Sequence, residues 1–133
     1  MHRVAAVLIA LLTVPTAYAE DVVVFSTSFQ TIKPSEQVAA TIYQLDVPEQ
    51  VLGKLGEGLP NTLAQAQAVA LDRLASPDGQ AMVERLKNGF GGVVQAWSHK
   101  IEKLPAILID DRYVVYGVYD VDQALAIYRE KIK

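Results

Sequence analysis

Few residues of this sequence have the types and the spacing that catalysis requires. The nearest approach to a nucleophile, a base and a carboxylate is the group Ser98, His99 and Glu102. Neighbouring residues of a helix point in different directions, so Ser98 and His99 do not face each other as a catalytic triad requires. We therefore predict an exposed polar pair near a helix end.

Asp110 and Asp111 are the second candidate, because adjacent carboxylates can perform general acid–base catalysis. That chemistry needs a shaped pocket, and the sequence does not indicate one near this pair. Aspartate is common in tight turns, since its short side chain bonds to the nearby backbone. We predict that the two residues form a turn.

Metal, cofactor and thiol chemistry are disfavoured by composition. The sequence contains no cysteine and two histidines, of which His2 lies in the N-terminal stretch. Zinc sites need several such ligands together, and disulfide exchange needs a thiolate. Gly89, Gly91 and Gly92 do not follow a strand, as the glycines of a phosphate-binding loop do. We predict no metal site, no cofactor and no enzymatic activity.

The charge of the chain argues against nucleic acid as a direct partner. Lys and Arg number 12 against 15 Asp and Glu, which gives a formal net charge of −3 at pH 7. The basic residues are scattered along the chain, whereas nucleic-acid-binding proteins gather them into a patch. We predict no direct nucleic-acid contact.

The N-terminal residues predict export. A basic start, Met1 to Arg3, precedes an apolar run over residues 4–14 and the small-x-small site Ala17, Tyr18, Ala19. The run is shorter than the roughly 20 residues that cross a membrane. We expect a signal peptide over residues 1–19, cleaved after Ala19, followed by one domain over residues 20–133 without a transmembrane segment.

Hydrophobic patterns divide the first half of that domain into strands and helices. Residues 21–25 form a continuous β-branched and aromatic run, which suits a strand buried on both faces. Residues 41–45 alternate in polarity and predict a second strand, with a short helical stretch over residues 33–40 between the two. Asp46 is expected to cap the next helix, with Glu49 as its capping-box partner.

Two further helices are predicted between the strands. Asn61 is expected to cap one, and Ser76 with Pro77 to begin the other, which keeps a 3.6-residue period to Ile101. That period passes through three glycines, for which close packing against the sheet and a hinge are both open explanations. Phe90 and Trp97 are expected to fill the core.

The chain ends in a predicted hairpin and helix. Residues 103–109 and 113–117 are β-rich runs joined by a turn, and residues 121–132 form a final amphipathic helix. Helical segments between the first and last pairs of strands predict an α/β sandwich, in which the hairpin supplies an antiparallel edge.

This closing segment resembles that of thioredoxin-like folds, in which a proline opens the last hairpin. The resemblance implies a cis Leu104–Pro105 bond beside the loop that follows the first strand, where those folds carry their redox cysteines. Here that loop, residues 26–29, has no cysteine. We expect a thioredoxin-like sandwich, with a mixed sheet, a C-terminal β-hairpin and a closing helix.

The resemblance also implies candidate binding residues, because such folds bind their substrates across these two segments. A cysteine-free version could hold a peptide strand there, or both segments could be inherited scaffold, since fold does not imply function. Phe29 has two corresponding interpretations, an exposed anchor for a partner or a core residue. The candidate residues are Ser26, Thr27, Ser28, Phe29, Leu104 and Pro105.

The C-terminal half resembles one specific group, the small periplasmic proteins of integrating conjugative elements. The residues that carry the resemblance are Ala96, Trp97, Ser98, then Lys103, Leu104, Pro105, Ala106, then Asp111, Arg112, Tyr113, Val114, Val115, Tyr116, Gly117, then Asp120, Val121 and Ala124. That family has no known molecular function and is encoded beside type IV secretion components.

The resemblance implies a periplasmic, non-enzymatic accessory protein whose partners are protein components of a conjugative transfer apparatus. One alternative is a general periplasmic peptide-binding or chaperone module on a redox-inactive thioredoxin-like fold. A second alternative is an enzyme, which the lack of cysteine and of a histidine–carboxylate group disfavours. The sequence does not predict an oligomeric state.

Overall fold

The structure, a computed structural model, describes residues 19–133. The predicted signal peptide, residues 1–19, lies outside the described residues apart from Ala19. No helix within the described range is long and apolar enough to cross a membrane. The elements, in chain order, are β1 (Val22–Ser26), β2 (Ala40–Gln44), α1 (Val47–Gly56), α2 (Leu63–Ala75), α3 (Pro77–Ser98), β3 (Ala106–Ile109), β4 (Tyr113–Tyr116) and α4 (Val121–Lys131).

The strands form one mixed sheet in the order β2-β1-β3-β4. β1 pairs parallel with β2 and antiparallel with β3, and β3 pairs antiparallel with β4. All four residues of β3 are buried, as are four of the five residues of β1, because these strands lie at the centre of the sheet. The predicted mixed α/β class, with its closing hairpin and helix, is confirmed.

Helices cover both faces of the sheet and divide the core in two. One face packs against α4, in a cluster of Val22, Val24, Ile107, Ile109, Val121, Ala124, Leu125 and Tyr128. The other face packs against α3, in a cluster of Phe25, Ala96, Ala106 and Leu108. The alternation of side chains along β1 and β3 supplies both clusters from the same two strands.

The connection between β1 and β2 contains no helix, so the helical stretch predicted over residues 33–40 is wrong. The backbone of Lys33 is used elsewhere, since its N–H donates to the carbonyl of Tyr119 at 2.8 Å and its carbonyl accepts from Val121 at 3.1 Å. The hydroxyl of Ser35 accepts two backbone N–H groups further along the segment. These bonds compete with the ladder that a helix would need.

The helices begin within one residue of the predicted starts, but not all of the predicted capping bonds form. Ser76 caps α3 as predicted, with its hydroxyl accepting from the N–H of Gly79 at 3.0 Å. Thr62, one residue beyond the predicted Asn61, precedes α2. Asp46 precedes α1 as predicted, but its side chain makes no capping bond, so the predicted capping box with Glu49 does not form.

Helix α3 is continuous through its three glycines, as predicted. A Cβ at Gly89 would come within 2.8 Å of Pro48, and one at Gly92 within 2.7 Å of Tyr43. A Cβ at Gly91 would meet nothing within 4 Å. Close packing therefore accounts for Gly89 and Gly92, which let α3 approach the first turn of α1 and the edge strand β2.

The prediction that Phe90 and Trp97 fill the core is wrong, because these side chains are 48% and 82% exposed. The buried face of α3 is made instead by Gly89, Gly92 and Ala96. These small residues recur at helical spacing. Their pattern is therefore as compatible with a buried helix face as the pattern of the large apolar residues. Only small residues fit at the distance at which α3 crosses the sheet.

Two neighbouring glycines give a matched test of this packing. We expect Gly92→Ala to lower the free energy of unfolding by about 1–3 kcal/mol, because its Cβ overlaps Tyr43. Gly91→Ala should raise it by about 0.5–1 kcal/mol, since alanine is the better helix former and the site is open. Urea denaturation of the two variants measures both changes, and equal effects would contradict the packing.

Candidate functional site

The sheet register brings the two predicted binding segments to the same end of the sheet. Phe25 pairs with Ala106, so the chain leaves β1 at the end where it enters β3. The Leu104–Pro105 peptide bond at that entry is cis, as predicted. The structure thus places residues 26–29 and residues 104–105 at the same end of the two central strands, β1 and β3.

The six candidate residues differ in accessibility. Ser26 and Pro105 are fully buried and so offer no surface to a partner. The hydroxyl of Ser26 has no hydrogen-bond partner among the described residues. Contact with a partner at this surface therefore depends on Thr27, Ser28, Phe29 and Leu104, which are partly or fully exposed.

Two bonds within the loop hold it as a closed turn. The N–H of Gln30 donates to the carbonyl of Thr27 at 3.1 Å. The side-chain oxygen of Gln30 accepts the N–H of Thr27 at 3.0 Å. These two bonds close the turn over residues 27–30.

Asp46 fixes this turn to the start of α1. Its carboxylate accepts the backbone N–H of Ser28 at 2.8 Å and the hydroxyl of Ser28 at 2.5 Å. The side-chain amide of Gln50 donates to both residues, at 2.8 Å in each case. Sequence analysis missed this role, because an aspartate before a helix is equally the signature of a cap.

The same bonds set the protonation of Asp46. Burial raises the pKa of this carboxyl, but the hydrogen bonds from the hydroxyl and backbone of Ser28 and from Gln50 outweigh burial and hold the pKa below its usual value. The carboxylate is thus favoured in its charged form, which accepts bonds and donates none.

Phe29 is 88% exposed at this turn, so the interpretation of Phe29 as a core residue is wrong. Its neighbour Ser28 is the residue that Asp46 holds. An exposed aromatic ring on a fixed turn loses little conformational freedom on binding. The arrangement can present an apolar contact to a partner at small entropic cost.

The other candidates from the sequence are engaged in structural contacts. Asp110 and Asp111 have positive φ angles of 51° and 54°, as the predicted turn requires. The carboxylate of Asp110 accepts the hydroxyl of Tyr128 at 2.6 Å, and this bond raises the pKa of Tyr128 to about 12. It also accepts the N–H of Asp21 at 2.9 Å. Asp110 therefore ties the hairpin to α4 and β1.

Ser98 and His99 face different partners, as predicted. The hydroxyl of Ser98 donates to the carbonyl of Gln95 at 2.8 Å, and Nε2 of His99 lies 3.7 Å from the carboxylate of Asp111. The His99 side chain is only 23% exposed, so this part of the predicted exposed pair is wrong. Among the described residues, no group of His, Asp and Glu could hold a metal ion.

Sequence analysis also missed a groove of about 360 Å³ beside strand β2. It is formed where α1 and α3 meet the edge of the sheet, so residues distant in the chain line it together. No sequence pattern signals such a feature, because it depends on the distance between α3 and β2. The lining residues are Ile42, Tyr43, Gln44, Val47, Arg85, Asn88 and Gly89.

A family model described as protein of unknown function (DUF1525) matches residues 19–131, almost the whole described chain. The chain belongs to this family. No curated protein and no solved structure matches it. The family description agrees with the unknown molecular function that the sequence resemblance implied, and it says nothing of conjugative elements.

The bonds of Asp46 predict a pH-dependent contribution to stability in this DUF1525 protein. Because its folded pKa lies below the unfolded value, Asp46 stabilises the fold above the unfolded pKa, about 4, and this contribution is lost as pH falls through the folded pKa. We expect Asp46→Asn to be less stable than the wild type at neutral pH. The difference in the free energy of unfolding between this variant and the wild type should narrow as the pH falls.

Urea midpoints measured from neutral pH to about pH 3 test this expectation. Asp72→Asn is the control, since Asp72 is exposed and forms no hydrogen bond or ion pair within the described part of the chain. The difference in urea midpoint between Asp72→Asn and the wild type should stay small and constant over this pH range. A constant difference for Asp46→Asn would contradict the proposed coupling.

Proposed function

We propose that this DUF1525 protein is a non-enzymatic periplasmic accessory protein of a conjugative transfer apparatus, related to type IV secretion. It acts through contacts with protein components of that apparatus. Its resemblance to the small periplasmic proteins of integrating conjugative elements supports the setting. The observation that carries the mode of action is the exposure of two aromatic side chains, Phe29 at 88% and Trp97 at 82%.

The exposed aromatics belong to surfaces that a protein partner could cover. Trp97 continues a stripe on α3 with Phe90 and Val94, at helical spacings of four and three residues, and all three are exposed. Exposed apolar side chains that form a contiguous patch are typical of protein-interaction sites. Phe29 presents a separate apolar contact on its fixed turn.

A thioredoxin-like fold is part of this proposal. The parallel pair β1 and β2, the antiparallel hairpin β3–β4 and the closing α4 support it. The absence of a helix in the described connection from β1 to β2 departs from the pattern expected from sequence. Without cysteine the chain cannot perform thiol exchange, so the proposal assigns a binding role to the segments beside Pro105.

A general periplasmic peptide-binding or chaperone module is the second candidate. The groove beside β2 favours it, because an open sheet edge suits extended peptides. The two candidate functions predict different effects on conjugation when the protein is removed. A chaperone should bind many unfolded segments and leave transfer between cells unchanged when it is removed.

Phe29→Ala tests the contact at the predicted binding site. We expect the free energy of unfolding to change by less than about 0.5 kcal/mol, because the side chain is exposed. Affinity for the captured envelope partner should fall by more than about tenfold, since an aromatic anchor at an interface contributes about 2 kcal/mol or more. Transfer frequency from donor cells should fall with it.

Tyr119→Ala is the matched control, because Tyr119 is a 49% exposed aromatic residue outside both apolar surfaces. It should retain transfer and partner capture. Normal transfer by a stable Phe29→Ala protein would remove the predicted binding site from the proposal. If a stable Trp97→Ala protein also showed normal transfer, the proposed action through exposed aromatic side chains would be contradicted.

Export is a separate expectation that rests on the N-terminal sequence alone. We expect the protein recovered from the cell envelope to begin at Glu20, because cleavage follows the small-x-small site. Intact-mass spectrometry of the envelope and cytoplasmic fractions measures this. Full-length protein found in the cytoplasm would contradict the periplasmic location.

A further inference from the structure

The groove beside β2 contains an unpaired sheet edge. β2 is the outermost strand of the sheet and, within residues 19–133, pairs only with β1. Its sequence, Ala-Thr-Ile-Tyr-Gln, contains no charge and no proline, the features that commonly protect edge strands from pairing with other chains. The edge is therefore open to another extended strand.

The direction of the backbone groups on this edge follows from one hydrogen bond. The N–H of Leu45 donates to the carbonyl of Ser26 at 2.9 Å and so faces β1. Backbone groups alternate in direction along a strand, so those of Ile42 and Gln44 face away from β1. No hydrogen bond from the described chain reaches them on that side. Two N–H groups and two carbonyls are thus presented in the register of a ladder.

Helix α3 forms the wall of the groove opposite this edge. Arg85 and Asn88 lie three residues apart on α3 and line the groove together. Ile42, 43% exposed, and Val47 add apolar surface. An added strand would direct alternate side chains towards this wall, which gives the groove a means of selecting sequence.

The positive charge of Arg85 determines which partner side chain suits the groove. It forms no ion pair within the described chain, whereas Lys87, two residues further along α3, pairs with Glu84 at 2.9 Å. The guanidinium group carries five donors in a planar fork that matches a carboxylate. The complementary partner is an acidic side chain.

We propose that the groove between β2 and α3 binds an extended segment of a partner protein, which adds to β2 as a fifth strand and places an Asp or Glu against Arg85. This site is separate from the turn that carries Phe29. The proposal does not depend on conjugation. A failure of the strand-binding groove therefore leaves the proposed role in conjugative transfer standing, and a failure of that role leaves the groove standing.

Defined synthetic peptides test the site on the purified protein. The probe is an end-blocked peptide of alternating valine and serine with one central glutamate. One comparison peptide carries lysine in place of glutamate, and another carries N-methyl groups at alternate residues, so that it cannot complete a ladder. We expect the glutamate peptide to bind and to slow hydrogen exchange at the amides of Ile42 and Gln44, measured by NMR.

Arg85→Gln should weaken binding of the glutamate peptide by about tenfold, because it removes a charge-assisted hydrogen bond. Binding of the lysine peptide should not weaken. Arg112→Gln is the matched control, since Arg112 is an exposed arginine in the β3–β4 turn at the far side of the sheet. It should bind like the wild type, and fluorescence anisotropy of labelled peptides gives each affinity.

Several outcomes would overturn the proposal. No binding of the glutamate peptide at millimolar concentration is one, and equal binding of the N-methylated peptide is another. Exchange protection elsewhere than at Ile42 and Gln44, or an unchanged affinity in Arg85→Gln, would also overturn it. Protection of this edge that increases with protein concentration in the absence of peptide would assign the groove to a second copy of the chain and overturn it too.

Discussion

The close approach of α3 to the sheet is the constraint on which the other features of this structure depend. Gly89 and Gly92 leave room for Pro48 and Tyr43, at distances where a single methyl group would overlap them. With small residues turned inward, the large apolar residues Phe90, Val94 and Trp97 of the same helix are turned outward. The exposed stripe and the groove beside β2 are both consequences of that orientation. A surface suited to binding arises here from the way the core is packed.

The second organising contact is polar and local to the proposed binding surface. Asp46 stands where a helix cap is expected, yet its carboxylate binds Ser28 and so joins the end of β1 to the start of α1. This bond and the turn closed by Gln30 fix the loop that directly follows β1. An aromatic residue, Phe29, is thereby held in solvent on a fixed loop. Asp110 of the hairpin turn has a structural use in the same way, since its carboxylate bonds to Tyr128.

The candidate site could be predicted in part. The resemblance placed residues 26–29 near Leu104 and Pro105, and the register of β1 with β3 brings these segments to one end of the sheet. It could not show that Ser26 and Pro105 are buried while Phe29 is exposed, because neighbouring residues of a turn do not follow the alternation of a strand. The groove lined by Arg85 and Ile42 was missed, since these residues meet only through the packing of α3 on the edge strand.

The sequence by itself determined the class of the fold, the strands of the sheet, the continuous helix α3 and the closing hairpin and helix. These features follow from local periodicity, caps and turns, which act over a few residues. Tertiary structure alone decided which face of α3 is buried, where the carboxylate of Asp46 binds and whether residues 33–40 form a helix. In each case the local sequence was compatible with more than one arrangement. Contacts with residues far along the chain, Tyr43, Ser28 and Tyr119, selected between them.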